Sequence, residues 1–156
     1  MILGTKTLEK LRILINEETE YRSGPKIIQF FNELGFSDSY GQGFPSRWVY
    51  TDERLAAING TPNIDKCIKI LFSPVSFIEN PETLDLHISE FNKYLAFDKW
   101  KVVRNYADIS FQKLDKVEFS SPKKANDEDG FLKQEFKGLK LSNLQLDSTV
   151  TSVLEY

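Results

Sequence analysis

One histidine, one cysteine and one loop crowded with rings are where chemistry has to be sought in this chain of 156 residues. His87 stands three residues after Leu84 and one before Ile88, at the margin of an apolar helical stripe, with no nucleophile or carboxylate spaced to work with it. It reads as a structural helix histidine. Cys67 lies on an apolar helix face and reads as a small core residue; a single cysteine rules out an internal disulfide and fits a reducing cytosol. One His and one Cys so far apart cannot build a zinc site. Asp127-Glu128-Asp129 followed by Glu135-Phe136-Lys137 offers the residue types of a Mg²⁺-dependent nuclease, but the acids sit in a polar linker and the lysine in a helical period. No strands are there to hold the carboxylates rigidly. No catalytic residue, metal or cofactor is therefore assigned.

Two clusters are better candidates for binding. The first is Tyr40-Gly41-Gln42-Gly43-Phe44-Pro45-Ser46-Arg47-Trp48, which has neither a helical nor a strand period and reads as a shaped loop. It begins like a glycine-rich phosphate loop, yet no strand precedes it and no Lys-Ser or Lys-Thr closes it. Tyr40, Arg47 and Trp48 are its candidate ligand- or partner-binding residues, because a planar cation beside aromatic faces can hold a base, a phosphate or an acidic side chain. The competing reading has Phe44 and Trp48 plugging the core while Arg47 pairs with a nearby acid and stiffens the turn. The second cluster is Lys99, Lys101 and Arg104, candidate nucleic-acid contacts in a stretch, residues 97–116, whose basic residues outnumber its acids by two. A net charge of −3 for the whole chain argues against a generic polyanion binder. The helix before this stretch carries Glu82, Asp85 and Glu90 against Lys93 and would repel phosphate.

The elements that must position these clusters are mostly helical. Leu8, Leu11, Leu14 and Ile15 recur at helical spacing and predict a first helix over about residues 6–17. Ser23-Gly24-Pro25 starts a second, which Gly35 stops. Thr51 is placed to cap a third helix ending at Gly60, and Thr61-Pro62, Ser73-Pro74 and Asn80-Pro81 predict helices over 62–71, 74–79 and 81–96. Trp100–Arg104 and Ile109–Gln112 then read as a β-hairpin turning through Asn105–Asp108. The fold class is α+β, mostly α: a helical domain over residues 1–114 whose second half, from 62, is winged-helix-like and ends in the hairpin. Residues 115–130 read as a flexible linker, and 131–156 as the lead-in to a missing C-terminal domain. No run approaches a membrane span, and no signal peptide is evident, so a soluble cytoplasmic protein without membrane contact is expected.

Tyr21-Arg22-Ser23-Gly24-Pro25, Phe30–Phe36, Tyr40–Trp48, Tyr50-Thr51 and Asn59-Gly60-Thr61 together resemble the N-terminal domain of AbiJ-like bacterial abortive-infection proteins, over about residues 5–114. Phe131–Phe136, with Leu139, Leu141, Leu144 and Val153-Leu154, is similar to the start of the abortive-infection C-terminal domain. The resemblance implies anti-phage defence, with a non-catalytic sensing or interaction part here, linked to a C-terminal effector that is absent. The partner would be a protein or the chain's own C-terminal effector domain. The alternative is a weak nucleic-acid-binding winged-helix module using the basic hairpin and Arg47. In that family the C-terminal part is thought to be HEPN-like, recognised by an Arg, four to six residues and a His. His87 has no arginine at that spacing.

Overall fold

The first helix, α1 (Thr5–Ile13), carries Leu11 on its buried face and then widens into one π turn over Leu14–Glu18. That turn closes where both the amide and the hydroxyl of Thr19 donate to the Leu14 carbonyl, at 3.1 and 2.8 Å. The extra residue places Leu14, Ile15 and Asn16 all inside. Gly4 has no side chain with which to cap α1. Asp98 does so from across the chain, accepting from Gly4 N at 3.1 Å and from Thr7 Oγ1 at 2.6 Å.

The next starts follow the capping grammar of the sequence. Ser23 accepts from Lys26 N and opens α2 (Gly24–Asn32); after it Gly35, at φ +102°, turns the chain left-handed. The third helix is where structure and sequence reading part. α3 runs from Arg47 to Ile58, with Ser46 accepting from Val49 N at 3.1 Å, so the cap is Ser46 and not Thr51. Starting a turn earlier brings Tyr50 and Thr51 into the core beside Leu55 and Ile58. Arg47 and Trp48 accordingly belong to a helix and not to a loop.

α4 (Pro62–Leu71) and α5 (Pro81–Leu95) begin at Thr61 and Asn80 as their prolines predict. Between them, the helix expected over 74–79 is a four-residue 3₁₀ turn, Pro74–Phe77, and the Ser73 side chain caps nothing. A second 3₁₀ turn, Ala96–Asp98, leads through Lys99 at φ +68° into β1 (Trp100–Asn105), which pairs antiparallel with β2 (Asp108–Lys113) in the register Val102↔Phe111.

The result is α+β and mostly α, with the hairpin at the C-terminal end of the described residues. α1 lies against both α3 and α5, α3 touches α2 and α4, and β1 lies on α5. Leu11, Leu14, Ile15, Phe31, Leu55, Ile64, Ile68, Phe72, Leu84 and Phe91 form the shared core, with Phe72 and Phe91 edge to face at 5.8 Å. Asn92 on α5 docks the hairpin: its side-chain amide donates to Val102 O at 3.0 Å and its oxygen accepts from Val102 N at 2.9 Å. That closes the free edge of β1 at this point.

The structure is a computed structural model and describes residues 1–115. The linker expected from 115 onward, apart from Asp115 itself, and the lead-in expected over 131–156 lie outside the described residues. Among the described residues no helix is long and apolar enough to cross a membrane.

Candidate functional site

The π turn and the bend after it leave backbone carbonyls open, and Arg47, in the first turn of α3, reaches one in each. Its Nε donates to Arg22 O and its Nη2 to Asn16 O, each at 3.0 Å, and the same Nη2 pairs with the Glu17 carboxylate. Beneath it, Thr51 Oγ1 donates to the fully buried Asn16 Oδ1 at 2.8 Å. The guanidinium is thus a clasp holding the end of the first helix and the following strand of chain onto α3. This is the pairing with a nearby acid that the sequence offered as the competing reading, extended to two carbonyls that no sequence pattern displays.

Arg47 also stacks. Its guanidinium carbon sits 4.4 Å from the centre of the Tyr21 ring and 5.5 Å from that of Trp48, and Arg12 covers Trp48 at 5.4 Å while pairing with Asp52 at 2.9 Å. Tyr21, Arg47, Trp48 and Arg12 therefore form a ladder of alternating rings and cations on the surface. Tyr21 is 62 % exposed, Trp48 is half-buried, and Val49 beside it is exposed. Two buried nitrogens at the foot of the ladder, Arg12 Nε and Asn16 Nδ2, have no hydrogen-bond partner among the described residues.

Tyr40 is not part of this ladder. Its ring packs on Phe44 at 4.9 Å and over Gly24, where a Cβ would overlap it; Phe44 in turn leans on Tyr50 at 5.3 Å. The loop between α2 and α3 is fixed from below by Asn32, which brackets both the amide and the carbonyl of Asp38, each at 3.0 Å. Asp38 then accepts from Tyr50 at 2.6 Å and from Arg54 Nε at 2.9 Å. The Arg54 and then the Tyr50 hydrogen bond hold the Asp38 carboxyl below its usual range, while burial and the adjoining carboxylate push the Tyr50 phenol up to about 12. Of the three candidates in this loop, the structure brings Arg47 and Trp48 together and sets Tyr40 on a separate aromatic cluster.

The hairpin candidates also divide. Arg104 faces α5 and grips Asp85 with both prongs, Nε to Oδ1 at 2.7 Å and Nη2 to Oδ2 at 2.8 Å, and its Nη1 donates to Tyr106 O at 2.8 Å. Lys101 is exposed on the opposite face of β1, and Lys99 is exposed at the left-handed turn before it. The remaining residues with notable chemistry are structural. Cys67 is fully buried, which pushes its thiol up to about 12, and His87 is half-buried against Phe77 with its pKa lowered by burial.

No protein-family model matches this chain, and no curated protein or solved structure is detectably similar to it. The reading of the site therefore rests on its geometry. Sequence reasoning missed Tyr21 and Arg12 as members of the site. The available signal was Tyr21-Arg22 standing between two helices and Arg12 in the last turn of the first, but it takes the packing of α1, and of the chain after its π turn, against α3 to bring them together.

Proposed function

We propose that the described domain is a non-catalytic sensing or interaction module of a cytoplasmic abortive-infection protein, and that the Tyr21–Arg47–Trp48–Arg12 ladder is the surface that meets its protein partner. The observation that carries this reading is the ladder's composition and stiffness. Tyr, Trp and Arg are the residue types that dominate the energetics of protein interfaces. Here they stand partly exposed, with the arginines locked by carbonyl and carboxylate contacts and the rings stacked on them, so little conformational entropy is lost when a partner seats there. The link to phage defence is the family resemblance of residues 5–114. The nucleic-acid alternative retains Lys99 and Lys101, but Arg104 is committed to Asp85 and Arg47 to the first helix.

A photo-crosslinking amino acid placed at Val49, beside the ladder, tests the reading in bacteria sampled before and after phage infection. A discrete protein adduct that survives nuclease treatment and disappears with Trp48→Ala is the expected result. An adduct removed by RNase or DNase, or no adduct in either sample, overturns it.

A further inference from the structure

On another face of the domain, α2 and α4 border an open cleft of about 490 Å³, in the range of small-molecule sites. Each helix contributes one side at helical spacing. Lys26 and Phe30 come from α2, Lys66 and Ile70 from α4, and the floor is the apolar pair Phe30 and Ile70. Ser73 and Ser76 close one end with hydroxyls.

The charges are not balanced. Arg22, Lys26, Lys66 and Lys69 line the cleft against Glu20 and Glu33, a surplus of two positive charges in a chain whose total is −3. Glu20 is shared between Arg22, at 3.6 Å, and Lys26, at 3.8 Å. Lys66 has no ion-pair partner among the described residues, and Lys69 meets the ring of Phe111, 5.8 Å from its ammonium, and no carboxylate. Arg22 is held in place from behind, donating to Ile15 O at 2.7 Å and stacked on Phe30 at 4.9 Å. It is a partly desolvated cation fixed at the cleft wall.

We propose that this cleft binds a small ligand bearing a diphosphate, with the phosphates among Lys66, Lys69, Lys26 and the Ser73 and Ser76 hydroxyls. Any organic part lies against Ile70 and the rim of Phe30 that Arg22 leaves open. Size is what separates this ligand from a nucleic acid. A long polyanion samples the acidic field of the whole chain, whereas a small one lies within a screening length of about 10 Å and experiences mainly the local surplus.

Calorimetric titration of the full chain at about 0.1 M salt, with inorganic pyrophosphate and separately with ADP, tests it. Binding of at least one is expected, weakened more than about tenfold by the double substitution Lys66→Gln/Lys69→Gln, which removes the two cleft cations that meet no carboxylate. Lys99→Gln/Lys101→Gln removes the same charge elsewhere and should leave the affinity unchanged. Both variants alter exposed lysines, and a circular dichroism spectrum identical to that of the parent verifies that each is folded; Lys26→Gln, on the opposite wall, gives an independent reading. Tighter binding of ADP than of pyrophosphate assigns the apolar floor to a nucleoside, and equal or weaker binding assigns the site to an inorganic diphosphate. No heat with either probe, or an equal loss in the two double variants, overturns the proposal.

Discussion

Replacing Arg47 by Met keeps most of its aliphatic stem and deletes the guanidinium, which isolates the clasp from the packing around it. Two of its hydrogen bonds end on backbone carbonyls and one on Glu17. The Glu17 pair contributes little, because that carboxylate is 39 % exposed and such pairs are worth at most about 1 kcal/mol. The carbonyls matter more. Asn16 O keeps a second donor, Arg22 N at 3.1 Å, so only Arg22 O loses its one recorded partner. One orphaned acceptor and one lost charge-assisted bond together predict a loss of about 2–3 kcal/mol. In a chain of this length that lowers Tm by roughly 10 °C. Urea unfolding followed by the fluorescence of Trp48 and Trp100 together measures it directly, with an unchanged slope expected. Arg47→Lys sharpens the test, since a single ammonium can satisfy Glu17 but not both carbonyls. It should lose more than half as much as Arg47→Met. Full stability in Arg47→Lys, or a cost below about 0.5 kcal/mol in Arg47→Met, would show that the guanidinium is not a clasp and refute the structural half of the reasoning.

The Asp38–Tyr50–Arg54 cluster makes stability depend on pH at both ends. The raised Tyr50 pKa contributes stability that is fully present below about pH 10 and is lost as pH rises toward about 12; the depressed Asp38 pKa contributes stability present above about pH 4 and lost as pH falls through its native value. Spectrophotometric titration should show one of the six tyrosines ionising near pH 12, and Tyr50→Phe should remove that step. Cys67 should resist alkylation by iodoacetamide at pH 8 in the folded chain and react within minutes in denaturant, and modification at equal rates in both states would contradict its burial. Asn92→Ala leaves the amide and carbonyl of Val102 without their side-chain partner. It should cost about 2–4 kcal/mol and speed hydrogen exchange at Val102, whereas a neutral outcome would mean that the hairpin is held by its apolar face alone.

Most of the fold was legible because helix starts are local events. Ser23, Thr61 and Asn80 each lie one or two residues before a proline, and all three cap where the sequence places them. Ser73-Pro74 has the same spelling but yields a 3₁₀ turn. Thr51 misled because it has a capping side chain at a plausible spot; the tertiary structure uses that hydroxyl instead to satisfy a buried asparagine thirty-five positions away. Ser46, directly after Pro45, was the better local signal, and it was hidden inside a stretch that looked like a loop because its glycines and rings obscure any period.

The site was legible only by half, for a reason that follows from how side chains and backbone divide the work. Donors are written in a sequence: Arg47 and Arg104 are visible at once as cations beside rings or acids. Acceptors such as the carbonyls of Asn16 and Arg22 belong to every residue alike and become available only where the backbone departs from regular hydrogen bonding, here at a π turn and the bend after it. An arginine that looks poised for a ligand can therefore have its hydrogen-bond donors taken by its own fold, as with Arg47 and Arg104, which leaves Arg47 its ring-stacked face to offer. Lysines show the opposite behaviour. Lys66 and Lys69 are spread along a helix that reads as an ordinary solvated face, and their surplus charge appears only when α2 is laid beside them to make a cleft. The same chain thus ties the hydrogen-bond donors of its conspicuous cations into structure and leaves Lys66, at the cleft, outside any ion pair among the described residues.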